Sequence, residues 1–217
     1  MSNKLKQLLT DLHSSEGDTL EKFGKIAEVL MKQMCIQVGL KRYRIAECEF
    51  YYDSNQSYID PFLYCDKTKQ NNNGPEMKQN QLLQWFFHYS GVDVTIGNAG
   101  AIFGGILIRS LQCINHEKNY IAGPLKSVNA LLNDAHKSVI ADTAIMKLVD
   151  LTDDEYCMED LIKTARIGLD KGKTANDTEH KYHQHKCRFV YSGFINSNSI
   201  EVKQYNNRLN KLIHSQE

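Results

Sequence analysis

The stretch from Arg44 to Tyr52, R-I-A-E-C-E-F-Y-Y, alternates with a period of two. Ala46, Cys48, Phe50 and Tyr52 fall on one side, and Glu47, Glu49 and Tyr51 on the other. Successive side chains of a strand point to opposite faces. The stretch therefore reads as a β-strand with an apolar back and a front carrying two carboxylates and a phenol. A hydrolytic pocket needs such a front. A glutamate on a half-buried strand is more often simply solvated, so the front gains meaning only from what the rest of the chain brings to it.

The chain has 217 residues, enough for one compact domain with helical additions. Lys and Arg number 26, as do Asp and Glu, so the formal net charge is zero. Neutrality weighs against a long nonspecific nucleic-acid surface, which is usually basic, but leaves room for a local basic groove. Six cysteines, at 35, 48, 65, 113, 157 and 187, form no C-x-x-C pair, so neither a zinc ribbon nor a thioredoxin-like site is signalled. Cys48 and Cys113 sit inside apolar patterns and read as small core residues. The polar start M-S-N-K-L-K is unlike a signal segment, and no apolar run reaches membrane-spanning length. A reducing cytoplasm and no membrane are the expectation.

Apolar residues spaced by threes and fours predict helices over residues 4–13 and about 19–38, the second closed by Gly39. A strand over 42–52 follows. Residues 66–80 are polar, carry Gly-Pro and read as a loop. An aromatic segment spans 82–91, Val92, Val94 and Ile96 alternate as a strand, and residues 102–112 are strongly strand-like with Arg109 as the lone charge. Pro124 suits a helix start. Further helices are expected over 139–149 and, after a Thr152/Glu155 capping box, through Met158, Leu161, Ile162 and Ala165. Arg166–Leu169 and Cys187–Tyr191 read as late strands, and Ser199 caps a final helix. Neither the dinucleotide nor the P-loop glycine pattern occurs. The order favours an α+β fold with a mainly antiparallel sheet or partial barrel and surrounding helices over a doubly wound sheet.

Three separated segments carry the candidate chemistry: Glu47/Glu49/Tyr51, Trp85/His88/Tyr89 and Arg109. A carboxylate can activate water for attack at a sugar carbon, aromatic rings can hold a flat base, and an arginine can bind phosphate or orient the attacked group. Each has a bland alternative. Trp85 and Phe86 are more often core, and His88 is more often a satisfied structural histidine. Arg109 in a central strand must reach a partner, and its structural reading is a salt bridge to Glu47 or Glu49.

Five segments, in order, resemble the alkyladenine (3-methyladenine) DNA glycosylases. R-I-A-E-C-E-F-Y is similar to their R-I-V-E-T-E-A-Y, and G-G-I-L-I-R-S-L to their strand ending L-L-R-A-L. Gly123-Pro124-Leu125 resembles their G-P-x-x-L helix start. R-I-G-L-D-K-G at 166–172 and K-C-R-F-V-Y-S-G at 186–193 resemble their paired final strands. The resemblance covers roughly residues 42–194. It implies a helical extension over 1–40, a glycosylase-like α/β domain over 41–195, and a C-terminal helix over 196–217 packed on that domain. It also implies base excision at DNA damage: hydrolysis of the N-glycosidic bond of an alkylated or otherwise modified base flipped from double-stranded DNA, without a metal or other cofactor.

By this resemblance Glu49 activates water, Arg109 lies beside the water and target phosphate, and Tyr51 stacks on the flipped base. Trp85 is a second stacking ring, Thr95 helps discriminate the base, and His88 wedges into the duplex. The family's pocket histidine is replaced: Asp60 occupies its spacing, with Tyr64 as a shifted substitute.

Two other functional classes stand beside this expectation: a noncatalytic protein binding DNA or a modified nucleotide, and a glycosidase acting on free nucleosides or nucleotides. His180, His183, His185 and Cys187 suggest a metal, but match no defined zinc pattern and read first as a solvated loop.

Overall fold

A computed structural model describes residues 3–14, 16–54, 58–63, 81–98, 102–114, 119–138, 146–169 and 181–214. Two helices open the chain, α1 (Asn3–His13) and α2 (Thr19–Lys32). Asp18 caps α2 by accepting a hydrogen bond from the Leu20 N–H at 2.9 Å. Leu5, Leu9 and Leu12 of α1 and Phe23, Ile26 and Leu30 of α2 are buried. They join one apolar cluster with the sheet, and each such side chain contributes about 1.5–3 kcal/mol on burial.

The helix expected over 19–38 stops short. Residues Met34–Val38 form β1, paired with β2 (Lys41–Asp53) across the Gly39–Leu40 turn. Met34 and Val38 have helical spacing, but the run is short and buried on both faces, the case in which periodicity does not separate helix from strand. Gly39, at φ +58°, turns the hairpin instead of ending a helix.

The sheet continues with β3 (Leu82–His88), β4 (Gly91–Ile96), β5 (Phe103–Cys113), β6 (Tyr120–Ala122), β7 (Lys147–Asp150), β8 (Leu161–Thr164) and β9 (Arg188–Tyr191). Its order is β3-β4-β5-β2-β1-β7; β6 adds to β5, β9 to β2, and β8 to β9. All these pairings are antiparallel. β2 is the hub. One edge runs along β5, and the other meets β1 and then β9. The sheet is curled into a half-barrel: the Trp85 indole on terminal strand β3 donates to the Met146 carbonyl, beside β7 at the opposite end, at 3.2 Å. Helix α3 (Pro124–Ser138), the short α4 (Ser192–Ile195) and α5 (Ile200–His214) complete the α+β fold. Among the described residues no helix is long and apolar enough to cross a membrane.

Three further expectations are corrected. The Thr152/Glu155 contact forms, with Thr152 N and Oγ1 donating to Glu155 Oε2 at 3.0 and 2.8 Å, but it closes only a 3-10 turn over Asp153–Glu155. Arg42 also holds that carboxylate, and the chain emerges extended into β8, so the residues read as a helix form a strand. Residues 147–150 are strand β7 because their backbone pairs with β1; residues 139–145 lie outside the described set. Arg166–Leu169 forms no strand, because its backbone turns toward Glu49 instead of joining the ladder.

Candidate active site

The front face of β2 is buried, not solvated. Glu47 and Glu49 are both 0% exposed. Opposite them the β2–β5 register slips around Glu47, leaving Arg109 without a ladder partner between Ser110 and Ile108. Such irregularities re-aim side chains. Here Arg109 and Ser110 both reach Glu47: Arg109 Nε donates to Oε1 at 3.2 Å and Ser110 Oγ to Oε2 at 2.7 Å. Arg188 of β9 adds an Nε donor at 2.6 Å, and Tyr205 of α5 adds its hydroxyl at 2.9 Å. Burial pushes the Glu47 carboxyl up, but the Arg188 and Arg109 guanidinium groups outweigh it and hold the carboxyl below the usual carboxylate range.

Glu49 is held differently. Its Oε2 accepts from Arg109 Nη1 at 3.1 Å and from the Tyr51 hydroxyl at 2.9 Å; its Oε1 accepts from the Ile167 N–H at 3.0 Å. A carboxylate offers about four acceptor sites, so one remains on Oε1 among the described partners. Burial, reinforced by the Glu49 charge, pushes the Tyr51 phenol well above its ordinary value and keeps it a donor. Burial also disfavours the Arg109 charge, but Glu49, Tyr205 and Glu47 more than compensate, so Arg109 stays ionised.

Tyr51 and Arg109 form part of the wall of a cleft of about 410 Å³. The remaining walls come from Pro61, Phe62, His88, Tyr89, Ser90, Asp93, Leu107, Pro124 and Ile167–Leu169. Behind Tyr51, the Arg166 guanidinium lies 4.6 Å from the ring centroid and 5.5 Å from that of Phe62. Asp60 fixes Arg166 as a buried ion pair, so Asp60 supports the cleft wall through Arg166. Gly91 turns the β3–β4 hairpin at φ +152°. A Cβ there would come within 3.0 Å of Leu107 Cδ1 and 3.2 Å of Pro124 Cβ, both on cleft-lining residues.

The structure brings Glu49, Arg109 and Tyr51 together, with Arg109 and Tyr51 on the cleft. His88 also lines the cleft, but its side chain is only 8% exposed. Its Nε2 pairs with Asp93 at 3.1 Å, and the Ser90 N–H donates to Nδ1 at 3.2 Å. At the hairpin tip it is Tyr89, 79% exposed and edge-on to the His88 ring, that projects on the cleft rim. Trp85 is not brought to the site. It lies on the face of β3 opposite Phe86 and His88, packs against the core and gives its N–H to Met146. Thr95 is buried, and its hydroxyl accepts from the Gln84 N–H at 2.8 Å and donates to the Gln84 carbonyl at 3.2 Å. That satisfies the kink where Leu83 adopts φ +57°. Tyr64 and His180 lie outside the described residues. His185 Nδ1 and Cys187 Sγ both meet the Tyr58 hydroxyl, at 3.0 and 3.3 Å. Among the described residues no group of three or more His, Cys, Asp or Glu is arranged to hold a metal ion.

Sequence reasoning missed Arg188, Arg166, Asp93 and Tyr205 as parts of this assembly, and gave Tyr89 of the aromatic segment no role of its own. Arg188 carried the same signal as Arg109, an arginine inside an apolar strand run. Tyr205 carried none, because its spacing on α5 suits the apolar stripe. The chain matches no protein-family model and no curated protein sequence.

Proposed function

We propose that the chain is an N-glycosidic bond hydrolase of the DNA glycosylase type, acting on an alkylated or otherwise modified base flipped from double-stranded DNA, on a fold like that of the alkyladenine DNA glycosylases. The observation that carries this reading is the joining of Glu49, Arg109 and Tyr51 through one carboxylate oxygen, with Arg109 and Tyr51 facing a cleft. The flipped base lies against Tyr51, with Phe62 and His88 as further rings. Water taken up at the remaining Glu49 acceptor site gives its proton to the carboxylate as its oxygen bonds to the anomeric carbon. The bond from that carbon to the base nitrogen breaks, and its electron pair leaves with the base. A base already carrying positive charge departs neutral and needs no added acid. The wedge role moves from His88 to Tyr89, whose exposed ring stands beside the cleft mouth.

A second reading has its own support. Glu49 is buried beneath its partners, as a structural carboxylate would be, which favours a noncatalytic protein that binds a modified base or nucleotide in the same cleft. The net charge of zero gives some support to a free nucleoside or nucleotide as the ligand. One panel separates these readings. Duplexes, single strands and free nucleotides bearing alkylated, deaminated or hypermodified bases are incubated with protein and scored for released base and alkali-labile sites. Base release from duplexes, lost in Glu49→Gln, is the expected result. Binding without release across the panel would establish the noncatalytic reading.

A further inference from the structure

The C-terminal helix contributes a group to the cluster that none of the five glycosylase-like segments contains. We infer that Tyr205 on α5 is a positioning residue for Arg109, so that the site is complete only when α5 is docked; this rests on the hydrolase reading above.

A phenol has one proton to give and two lone pairs to accept with. Tyr205 uses all three. Its hydroxyl donates to Glu47 Oε2 at 2.9 Å and accepts from Arg109 Nε at 3.2 Å and Nη2 at 3.1 Å. The oxygen thus sits astride the Nε–Nη2 edge of the guanidinium and holds Nη2, which neither Glu47 nor Glu49 reaches. Glu47 takes a share of the same Nε–H at 3.2 Å. With that edge held, Nη1 is directed onto Glu49 at 3.1 Å. An arginine has five N–H groups. One on Nη1 and one on Nη2 are left uncommitted among the described partners, on a residue that lines the cleft.

The phenol is itself held in place. Its ring packs near Gly123, where a Cβ would stand 3.4 Å from Tyr205 Cε2, and edge-on to Phe194 with 6.2 Å between centroids. Gly123 opens α3, whose first residue, Pro124, lines the cleft. Helix α5 is also tied to this corner by Glu201, which accepts from Lys126 Nζ at 2.8 Å. Burial and the Glu47 charge push the Tyr205 phenol up, so it stays protonated and keeps its donor. A neutral bridge suits this place: a third anion would neutralise the charge that Arg109 presents to the cleft, and an apolar side chain would let the guanidinium turn.

Tyr205→Phe removes one oxygen and keeps the ring. The test compares single-turnover base release, duplex affinity and melting temperature for the wild-type chain and this variant on the best substrate of the panel. The expected result is a release rate about tenfold or more lower, with affinity changed less than about twofold and melting temperature close to wild type. In parallel, the Arg109 Nε–H resonance of uniformly labelled protein should shift and exchange faster with solvent in the variant. Unchanged release, or release lost only together with folding, would overturn the assignment. If the wild-type chain releases no base from any substrate, the hydrolase reading fails instead. The Arg109 resonance then decides whether Tyr205 fixes the guanidinium, and an unchanged resonance would end that claim too.

Discussion

Glu47 and Glu49 stand two residues apart on one face of one strand, equally buried and sharing Arg109, yet their surroundings differ in kind. Glu47 receives four hydrogen bonds, from Arg109, Arg188, Ser110 and Tyr205, which fill its acceptor capacity. Glu49 receives three, from Arg109, Tyr51 and Ile167, and all three of these residues form cleft wall. A filled carboxylate between two guanidinium groups is an anchor, and an underfilled one beside a cleft can take up water. On the proposed hydrolase reading the two do different work: Glu47 holds Arg109, and Glu49 takes the proton of the attacking water.

The sharpest way to break this division is to neutralise the anchor. Glu47→Gln leaves Arg109 and Arg188 without their shared anion in a buried setting, and loss of one partner of a buried pair costs about 3–5 kcal/mol of stability. Denaturant unfolding checks it; a loss no larger than that of Glu49→Gln would erase the distinction between the two positions. At the rim, Tyr89→Ala should weaken binding of a lesion duplex by about 1–3 kcal/mol, the range for an aromatic–base stack, while His88→Asn should weaken it less. A fluorescence titration comparing the two variants reverses the wedge assignment if His88→Asn has the larger effect.

Away from the cleft, Trp85→Phe should cost about 0.5–1.5 kcal/mol of stability through the lost bond to the Met146 carbonyl. Base release should be unaffected, and a tenfold fall in release would return Trp85 to the site. The smallest effect concerns acid. Glu47 lies below the ordinary carboxylate value of 4.5, and the Arg42 hydrogen bonds bring Glu155 down to about 2. A folded-state value below the unfolded one means that these groups stabilise the fold above pH 4.5 and lose that contribution as pH falls through their folded values. Melting temperature should therefore decline steadily with acid from about pH 4.5 toward 2, and Glu155→Gln should flatten part of the slope.

Much of the sheet was legible because β2 and β4 alternate with a period of two and β5 is a long apolar run rich in strand-forming residues. β1, β7 and β8 were not. They are four or five residues long, and their strand character comes from the neighbours they pair with. Within the site, alternation put Glu47, Glu49 and Tyr51 on one face of β2, and Arg109 could be read toward them because a charge in an apolar strand demands a partner. Trp85 could not be placed. Alternation puts it on the face opposite His88, but nothing local reveals which face meets the cleft. His88 and Tyr89 are adjacent, and only the hairpin geometry shows which one projects. Tyr205 lies 96 residues from Arg109, a distance no local pattern spans.

The division between the two carboxylates is tested most directly by single-turnover base release from the best lesion duplex, measured for wild type, Glu49→Gln and Glu47→Gln at a temperature where all three are folded. The account predicts that Glu49→Gln still binds the duplex and releases base slower by about 10²–10⁴-fold, the usual contribution of a positioned general base. Glu47→Gln should retain more release than Glu49→Gln. Release by Glu49→Gln at the wild-type rate would contradict it.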